Sequence, residues 1–239
     1  MRSTTNPPGQ NRLLTSLPDD EYDRVTAVTE KVSLALKEVI YEPGQRIEHV
    51  YFPTSGVVSL LITMQDGSAV EIATVGNEGV VGMPVFLGAH TSLVRAISQI
   101  PGTALRMPVA AFKHVVEPAG AIQDVIRRYS QALVNQISQS VACNHLHSVE
   151  ERMCRWLLMC HDRVGADEFP LSHEFLAQML GVRRPSVTIA AGILQKAGLI
   201  AYRRGHVTIV DRGRLEEGAC ECYRVVKDEY ERLLGAPTA

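Results

Sequence analysis

The chain has 239 residues, 46% hydrophobic and 21% charged, with a formal net charge of −2. That is the make-up of a folded globular protein with room for two ordinary domains, and it excludes a disordered or fibrous chain. No apolar run approaches the ~20 residues a membrane-crossing helix needs. The opening stretch, Met1 to Gly9, lacks the apolar core of a secretory signal.

Residues 1–10 read as a flexible polar arm. From Asn11 to about Val32 the pattern is helical. Leu13, Leu14, Leu17, Tyr22, Val25 and Val28 share a face, and Ser16 with Asp19 or Asp20 offer N-caps. From Leu34 to Met107 short β-rich runs follow at 38–41, 50–52, 56–63, 69–75, 94–100 and 105–107. Turn signals separate them, the strongest being Asp66-Gly67 between two apolar runs. Strands at this spacing predict an antiparallel jelly roll or barrel, part of a sensor domain over 11–118.

Helical periodicity returns after Pro108. Over 119–146 the apolar positions Ile122, Val125, Ile126, Tyr129, Leu133, Ile137 and Val141 step by three or four residues, with polar residues opposite, and Ile122, Ile126, Tyr129, Leu133 and Ile137 are the expected dimer contacts. So narrow a stripe predicts a dimerisation helix pairing with its mate in a homodimer; a helix packed on its own barrel is the plainer alternative. Ser148 with Glu151 makes a capping box that opens a second domain, 147–239. The tail from Arg214 to Leu234 is helical again.

Inside that domain, Leu171 to Val210 reads as a strand, two helices and a β-hairpin. Ser172 is an N-cap for helix 173–180. Gly181 supplies the positive φ that ends it, and Arg184-Pro185 opens the next helix. Leu176, Met179, Leu180, Val187, Ile193 and Leu194 are expected to clamp the two helices together. Arg183, Arg184, Ser186, Thr188 and Ile189 are left for base edges in a major groove. Arg203 and Arg204 sit on the hairpin and, with Ser172 and His173, suit phosphate contacts. From Ser172 to Arg214 there are seven Lys/Arg against two acids, a surplus of five in a chain that is −2 overall. Such asymmetry marks a DNA-binding module attached to a non-binding one. The predicted class is α+β: an N-terminal β jelly roll, a long dimerisation helix, and a C-terminal winged helix-turn-helix that binds double-stranded DNA.

This order of parts resembles the Crp/Fnr superfamily of bacterial transcription regulators, with a cyclic-nucleotide-binding-like sensor domain. In the first half the resemblance is carried by Tyr41-Glu-Pro-Gly-Gln-Arg-Ile-Glu-His-Val-Tyr-Phe52, Ser55-Gly-Val-Val-Ser-Leu-Leu61, Gly76-Asn-Glu-Gly79 with Gly82, and Val94-Arg-Ala96. It implies a cytoplasmic homodimer on a two-fold operator that contacts RNA polymerase and answers to a small-molecule effector or another signal.

Departures from the family pattern narrow this. The family's Gly-Glu pair, which holds a ribose hydroxyl, is Gly82-Met83 here, and Thr91-Ser92 stands where an arginine binds the cyclic phosphate. A thioether is a weak acceptor and threonine carries no charge, so cyclic AMP is not expected in the usual mode. Gly82, Met83, Thr91, Ser92 and Tyr129 remain the candidate ligand-site residues. The family's iron–sulfur branch needs an N-terminal cysteine cluster, whereas this chain has no cysteine before Cys143, so an iron–sulfur cluster is not expected either. Arg184 matches a family arginine that meets guanine. Pro185 replaces an acid that reads cytosine, and Ile189 replaces a second arginine; the half-site should differ from the common TGTGA type.

Two smaller constellations remain. Cys143-Asn-His145-Leu-His147 and Cys220-Glu-Cys222 could together serve zinc or haem iron, but the spacing fits no standard zinc motif. The residues therefore read as packing groups and a polar hinge, with no metal. Cys160-His161 suggests a nucleophile pair, yet no oxyanion loop or other enzymatic signature accompanies it. The competing function is a module that binds a cyclic dinucleotide, haem or other ligand and controls a non-transcriptional partner.

Overall fold

The computed structural model describes residues 9–117 and 119–235; residues 1–8 of the expected arm lie outside them. By internal contacts the chain forms two compact units. One holds the residues up to 60, 74–134 and those from 230 onward, and the other holds 61–73 and 135–229.

The first unit opens on Asn11, whose side-chain oxygen accepts from the N–H groups of Leu13 and Leu14 and caps α1 (Arg12–Thr15). Its amide donates to the carbonyls of Pro53 and Gly79, both at 2.9 Å, so one buried residue also ties two loops. The single helix expected over 11–32 is not formed. Pro18, fixed in an extended conformation, precedes a separate α2 (Asp19–Thr26), and Glu30–Leu34 is already β1.

The strands that follow are close to those expected: β2 (Val39–Tyr41), β3 (His49–Pro53), β4 (Val57–Thr63) and β5 (Ala69–Val75). After a short α3 (Met83–Phe86) come β6 (Arg95–Ile100), β7 (Gly102–Pro108) and α4 (Val109–Val116). They form two sheets, β1-β7-β3 and β2-β6-β4-β5. β1 and β3 flank β7 antiparallel, with Glu30 opposite Arg106 and Val50 opposite Met107. The Glu30–Arg106 pair closes to 2.6 Å on the sheet surface. The side chains Val50, Phe52, Val57, Val58, Val75, Ala96, Ala104 and Met107 are all buried. Gly56 is obligatory: its φ is +77°, and a Cβ there would lie 2.5 Å from the Ile100 carbonyl oxygen.

The long helix α5 (Ala121–Leu146) begins at Glu21, whose carboxylate accepts from the N–H groups of Ala121 and Ile122 at 2.9 Å each. A negative charge at the positive end of a helix stabilises both. The assignment of its apolar stripe needs correcting. Ile122, Ile126, Tyr129 and Leu133 are buried in the chain's own core, so they cannot present a seam to a second copy; Ile137 is half-buried. Tyr129 is fully enclosed, edge-on to Tyr230 at 6.4 Å and packed so closely on Gly79 that a Cβ there would meet its hydroxyl at 2.6 Å. The large apolar residues that α5 leaves exposed are Val134, Val141 and Leu146. Val134 and Val141 are one heptad apart.

The second unit holds α6 (Val149–Val164), opened by the predicted capping box. Glu151 N–H donates to Ser148 Oγ, and Ser148 N–H donates to Glu151 Oε2. Next come β8 (Glu168–Pro170), α7 (His173–Leu180), α8 (Arg184–Lys196), β9 (Ile200–Arg203) and β10 (His206–Ile209). α9 (Arg212–Glu217) and α10 (Cys222–Leu234) end the chain, so the helical tail is interrupted at 218–221. The tip of the β4–β5 hairpin belongs to this unit. There Trp156 Nε1 donates to Glu71 Oε1 at 2.9 Å. Two arginines of α6, Arg152 and Arg155, are buried. Arg152 Nη2 donates to the Leu180 carbonyl, a cation at the negative end of α7, and Arg155 Nη2 donates to Ser140 Oγ at 2.9 Å.

Candidate nucleic-acid interface

Each boundary of the helix pair has a local cause. Ser172 Oγ accepts from Phe175 N–H at 3.1 Å and starts α7. Gly181 ends it with φ +62°, and a Cβ there would also press on Val70 at 3.0 Å. Arg183 is extended at the N-cap of α8, and Pro185 occupies its first turn, where a missing N–H costs nothing. Leu176, Ala177, Met179 and Leu180 of α7 are buried, as are Val187, Ala190, Ala191 and Leu194 of α8. These are the residues that hold α8 in place.

The opposite face of α8 is open. Arg183, Arg184, Pro185, Thr188 and Ile189 are exposed, and Ser186 is half-buried. Ile193, expected in the clamp, is 48% exposed and lies on this open face, because it is one turn beyond Ile189 rather than beneath it. The exposed strip is thus basic at its N-terminal end and apolar along Ile189 and Ile193. It suits guanine edges first and thymine methyl groups after.

His173 is placed differently from the other expected phosphate contacts. Its ring is half-buried, edge-on to Tyr202 at 4.7 Å, and its Nδ1 lies 3.1 Å from Thr188 Oγ1. Burial, reinforced by the Arg184 charge, holds its pKa below the usual histidine value. The side chain therefore links α7, α8 and the wing and orients Thr188, whose hydroxyl also donates to the Arg184 carbonyl at 3.1 Å. Arg184 keeps only a loose, solvent-exposed approach to Glu174, 3.9 Å.

The wing is a two-residue hairpin in which Arg203 faces His206 across the ladder. Both turn residues have positive φ, +49° at Arg204 and +81° at Gly205. Such a turn favours Asn-Gly, and an arginine there costs about 1–2 kcal/mol. β8 completes the sheet on the other side of β10, with Phe169 opposite Val207. Arg203 and Arg204 are both exposed at the tip. Strain retained at an exposed cation points to use of that cation. Arg204→Asn is expected to raise stability by about 1 kcal/mol and to weaken binding to all DNA sequences alike, with a shallower salt dependence; thermal melts and a salt titration of binding check both.

The candidate ligand-site residues of the first unit fall in different environments. Met83 is buried at the start of α3, Gly82 precedes it with φ +107°, Thr91 is exposed, and Ser92 Oγ accepts from Val94 N–H at 3.0 Å. Tyr129 is core. Arg95 is held by Glu42 through two hydrogen bonds of 2.8 and 2.6 Å, so it is not poised for a phosphate in the interior. His161 does not join Cys160 as a nucleophile pair: its two nitrogens face Asp167 at 2.7 Å and Arg212 at 2.5 Å.

Comparison with known proteins follows the same two-part order. Residues 31–118 match the cyclic nucleotide-binding domain family, and residues 151–217 match the Crp-like helix-turn-helix domain. The chain belongs to the Crp/Fnr superfamily of transcription regulators. Among curated members, it is 22% identical over 182 residues to the global nitrogen regulator of Nostoc sp., covering 72% of this chain and 81% of the relative. The Synechococcus elongatus protein of the same name is likewise 22% identical over 182 residues, covering 72% and 82%. The Crp/Fnr fold is seen in FixK2 of Bradyrhizobium japonicum, at a TM-score of 0.69 with 17% identity over 81% of this chain and 98% of that one. The c-di-GMP responsive regulator CLP of Xanthomonas campestris matches at 0.66, with 17% identity over 81% and 100%. No helix among the described residues is long and apolar enough to cross a membrane.

Proposed function

We propose that this Crp/Fnr member acts as a homodimer on a two-fold DNA site and reads the two half-sites with the open face of α8. The observation that carries this is the division of α8 itself: one side buried against α7, the other lined by Arg183, Arg184, Ser186, Thr188 and Ile189. Ser172, Arg203 and Arg204 fix register on phosphates, with His173 both adjacent to the backbone and orienting Thr188. Pro185 and the apolar Ile189–Ile193 strip favour an operator distinct from those of members with an acid and a second arginine there. The partner chain docks along Val134, Ile137 and Val141 of α5 rather than along the enclosed face.

The role is regulatory rather than catalytic, and RNA polymerase is the downstream partner that the family implies. Cyclic AMP in the usual mode is disfavoured, since Met83 stands where the family has its glutamate and Thr91-Ser92 where it has its phosphate-binding arginine. The cyclic-dinucleotide response named for CLP shows that the fold can serve a different effector, and such a ligand is a reasonable first probe.

Arg184→Ala tests the reading. After operator selection from random DNA, the variant is expected to lose about 10- to 100-fold on the selected site and to relax preference at one base pair per half-site. Equal losses on selected and random DNA would remove Arg184 from the base-reading set.

A further inference from the structure

Four side chains that are scattered in sequence meet in the second unit. Cys143 lies in the last turn of α5, and His147 follows one residue past its end. Cys220 and Cys222 flank Glu221 at the start of α10. Their ligand atoms all lie within 4.8 Å of one another. Cys143 Sγ is 3.5 Å from Cys220 Sγ, and Cys222 Sγ is 3.5 Å from His147 Nδ1. Around one tetrahedral ion, with bonds of about 2.3 Å to sulfur and 2.0–2.1 Å to nitrogen, ligand atoms stand about 3.5–3.8 Å apart. Two edges of the cluster, at 3.5 Å, already have that length, and the remaining ones lie within 4.8 Å. A [4Fe–4S] cluster, whose four thiolates each bind a separate iron, needs them farther apart.

The surroundings fit a bound cation in three further ways. His147 Nε2 lies 3.1 Å from Glu221 Oε2, which fixes the tautomer so that the Nδ1 lone pair faces the sulfurs. A carboxylate on the outer nitrogen is the usual support of a metal-binding histidine. Gln139 Nε2 donates to Cys222 Sγ at 3.0 Å, a bond that favours a thiolate. Arg155 and Arg152 are buried on α6, with their Nε atoms lacking hydrogen-bond partners among the described residues. Three thiolates, one neutral imidazole and a divalent ion sum to a net −1, which these guanidinium groups complement.

We propose that Cys143, His147, Cys220 and Cys222 form a closed, four-ligand site for a single thiophilic divalent ion, with zinc the best match to three sulfurs and one nitrogen. Binding releases the three thiol protons to solvent and involves no change of oxidation state. The proposal goes beyond the reading of these residues as packing groups: the three thiols are buried together, as that reading expects, but with an imidazole among them. His145, exposed on α5, takes no part, because only the i, i+4 spacing from Cys143 reaches the cluster. A closed site of this kind is structural: it ties the end of α5 to the start of α10, beside the helix pair that carries the DNA-facing residues.

The test is elemental analysis of the full-length chain purified under reducing conditions, followed by chelation and titration with cobalt(II). The expected result is one tightly held zinc per chain and, after exchange, the intense absorption of tetrahedral cobalt–thiolate. Cys220→Ser and Cys222→Ser should each abolish stoichiometric uptake, whereas Cys154→Ser and Cys160→Ser, buried thiols outside the cluster, should not. Three outcomes would overturn the proposal: wild-type uptake no greater than that of Cys222→Ser, an iron–sulfur chromophore, or a Cys143–Cys220 disulfide as the resting state. The wild-type measurement decides even if a serine variant fails to fold.

Discussion

Replacing Val134 and Val141 together by aspartate is expected to turn a dimeric protein into a monomer and to lower operator affinity by at least 100-fold. Both side chains are more than half exposed on α5, at 54% and 67%, and they are one heptad apart, so two copies of the helix would oppose them twice. A charge at each position places four carboxylates in one apolar seam, where desolvation and like-charge repulsion add. The operator loss follows because two linked half-sites bind far more tightly than one. Sedimentation of the variant, with its thermal melt as a control, checks the expectation. Ile126→Ala is the informative contrast. Ile126 is fully buried in the chain's own core, so its truncation should cost about 2–5 kcal/mol of stability and leave the assembly unchanged. If Ile126→Ala dissociated the dimer while the aspartate pair did not, the seam would lie on the other face.

Leu176→Ala is expected to have an effect of similar size by another route. Leu176 is 0% exposed on α7 and lies in the layer that holds α8. Truncation removes ~1.5–3 kcal/mol of apolar burial and leaves a cavity besides, for a total near 2–5 kcal/mol. None of the residues proposed to face DNA changes, yet specific binding should fall because the open side of α8 is no longer held in one orientation. Melting of the variant and binding to the selected operator, measured on the same sample, test it. Full specific affinity with a lowered melting temperature would show that DNA itself can restore the orientation of α8.

The helix pair was readable from sequence because its boundaries are set by single residues acting locally. Ser172 caps, Gly181 supplies a positive φ, and Pro185 starts a first turn, and each does so within four residues of its partners. The wing was readable for the same reason. Two features were not. The periodicity of α5 shows that one stripe is apolar but says nothing about what covers it, and the chain's own core took the face that looked like a seam. β1 was missed because its pattern is that of a largely exposed edge strand, Glu-Lys-Val-Ser-Leu, which continues a helical repeat as readily as it alternates. The thiol–imidazole cluster lay beyond sequence reasoning for a third reason. Its halves are separated by more than seventy residues, and only the return of α10 to α5 brings them together.

The chain contains a single tryptophan, Trp156, and it is buried in the second unit with its indole N–H bonded to Glu71. Tryptophan emission, excited where tyrosine does not absorb, therefore reports on the DNA-binding unit, with no need for labels or truncations. Because Glu71 lies on β5, the emission is also sensitive to whether that strand of the β4–β5 hairpin stays seated on α6. A signal that loosens the hairpin becomes readable as a shift of ultraviolet emission in unmodified protein.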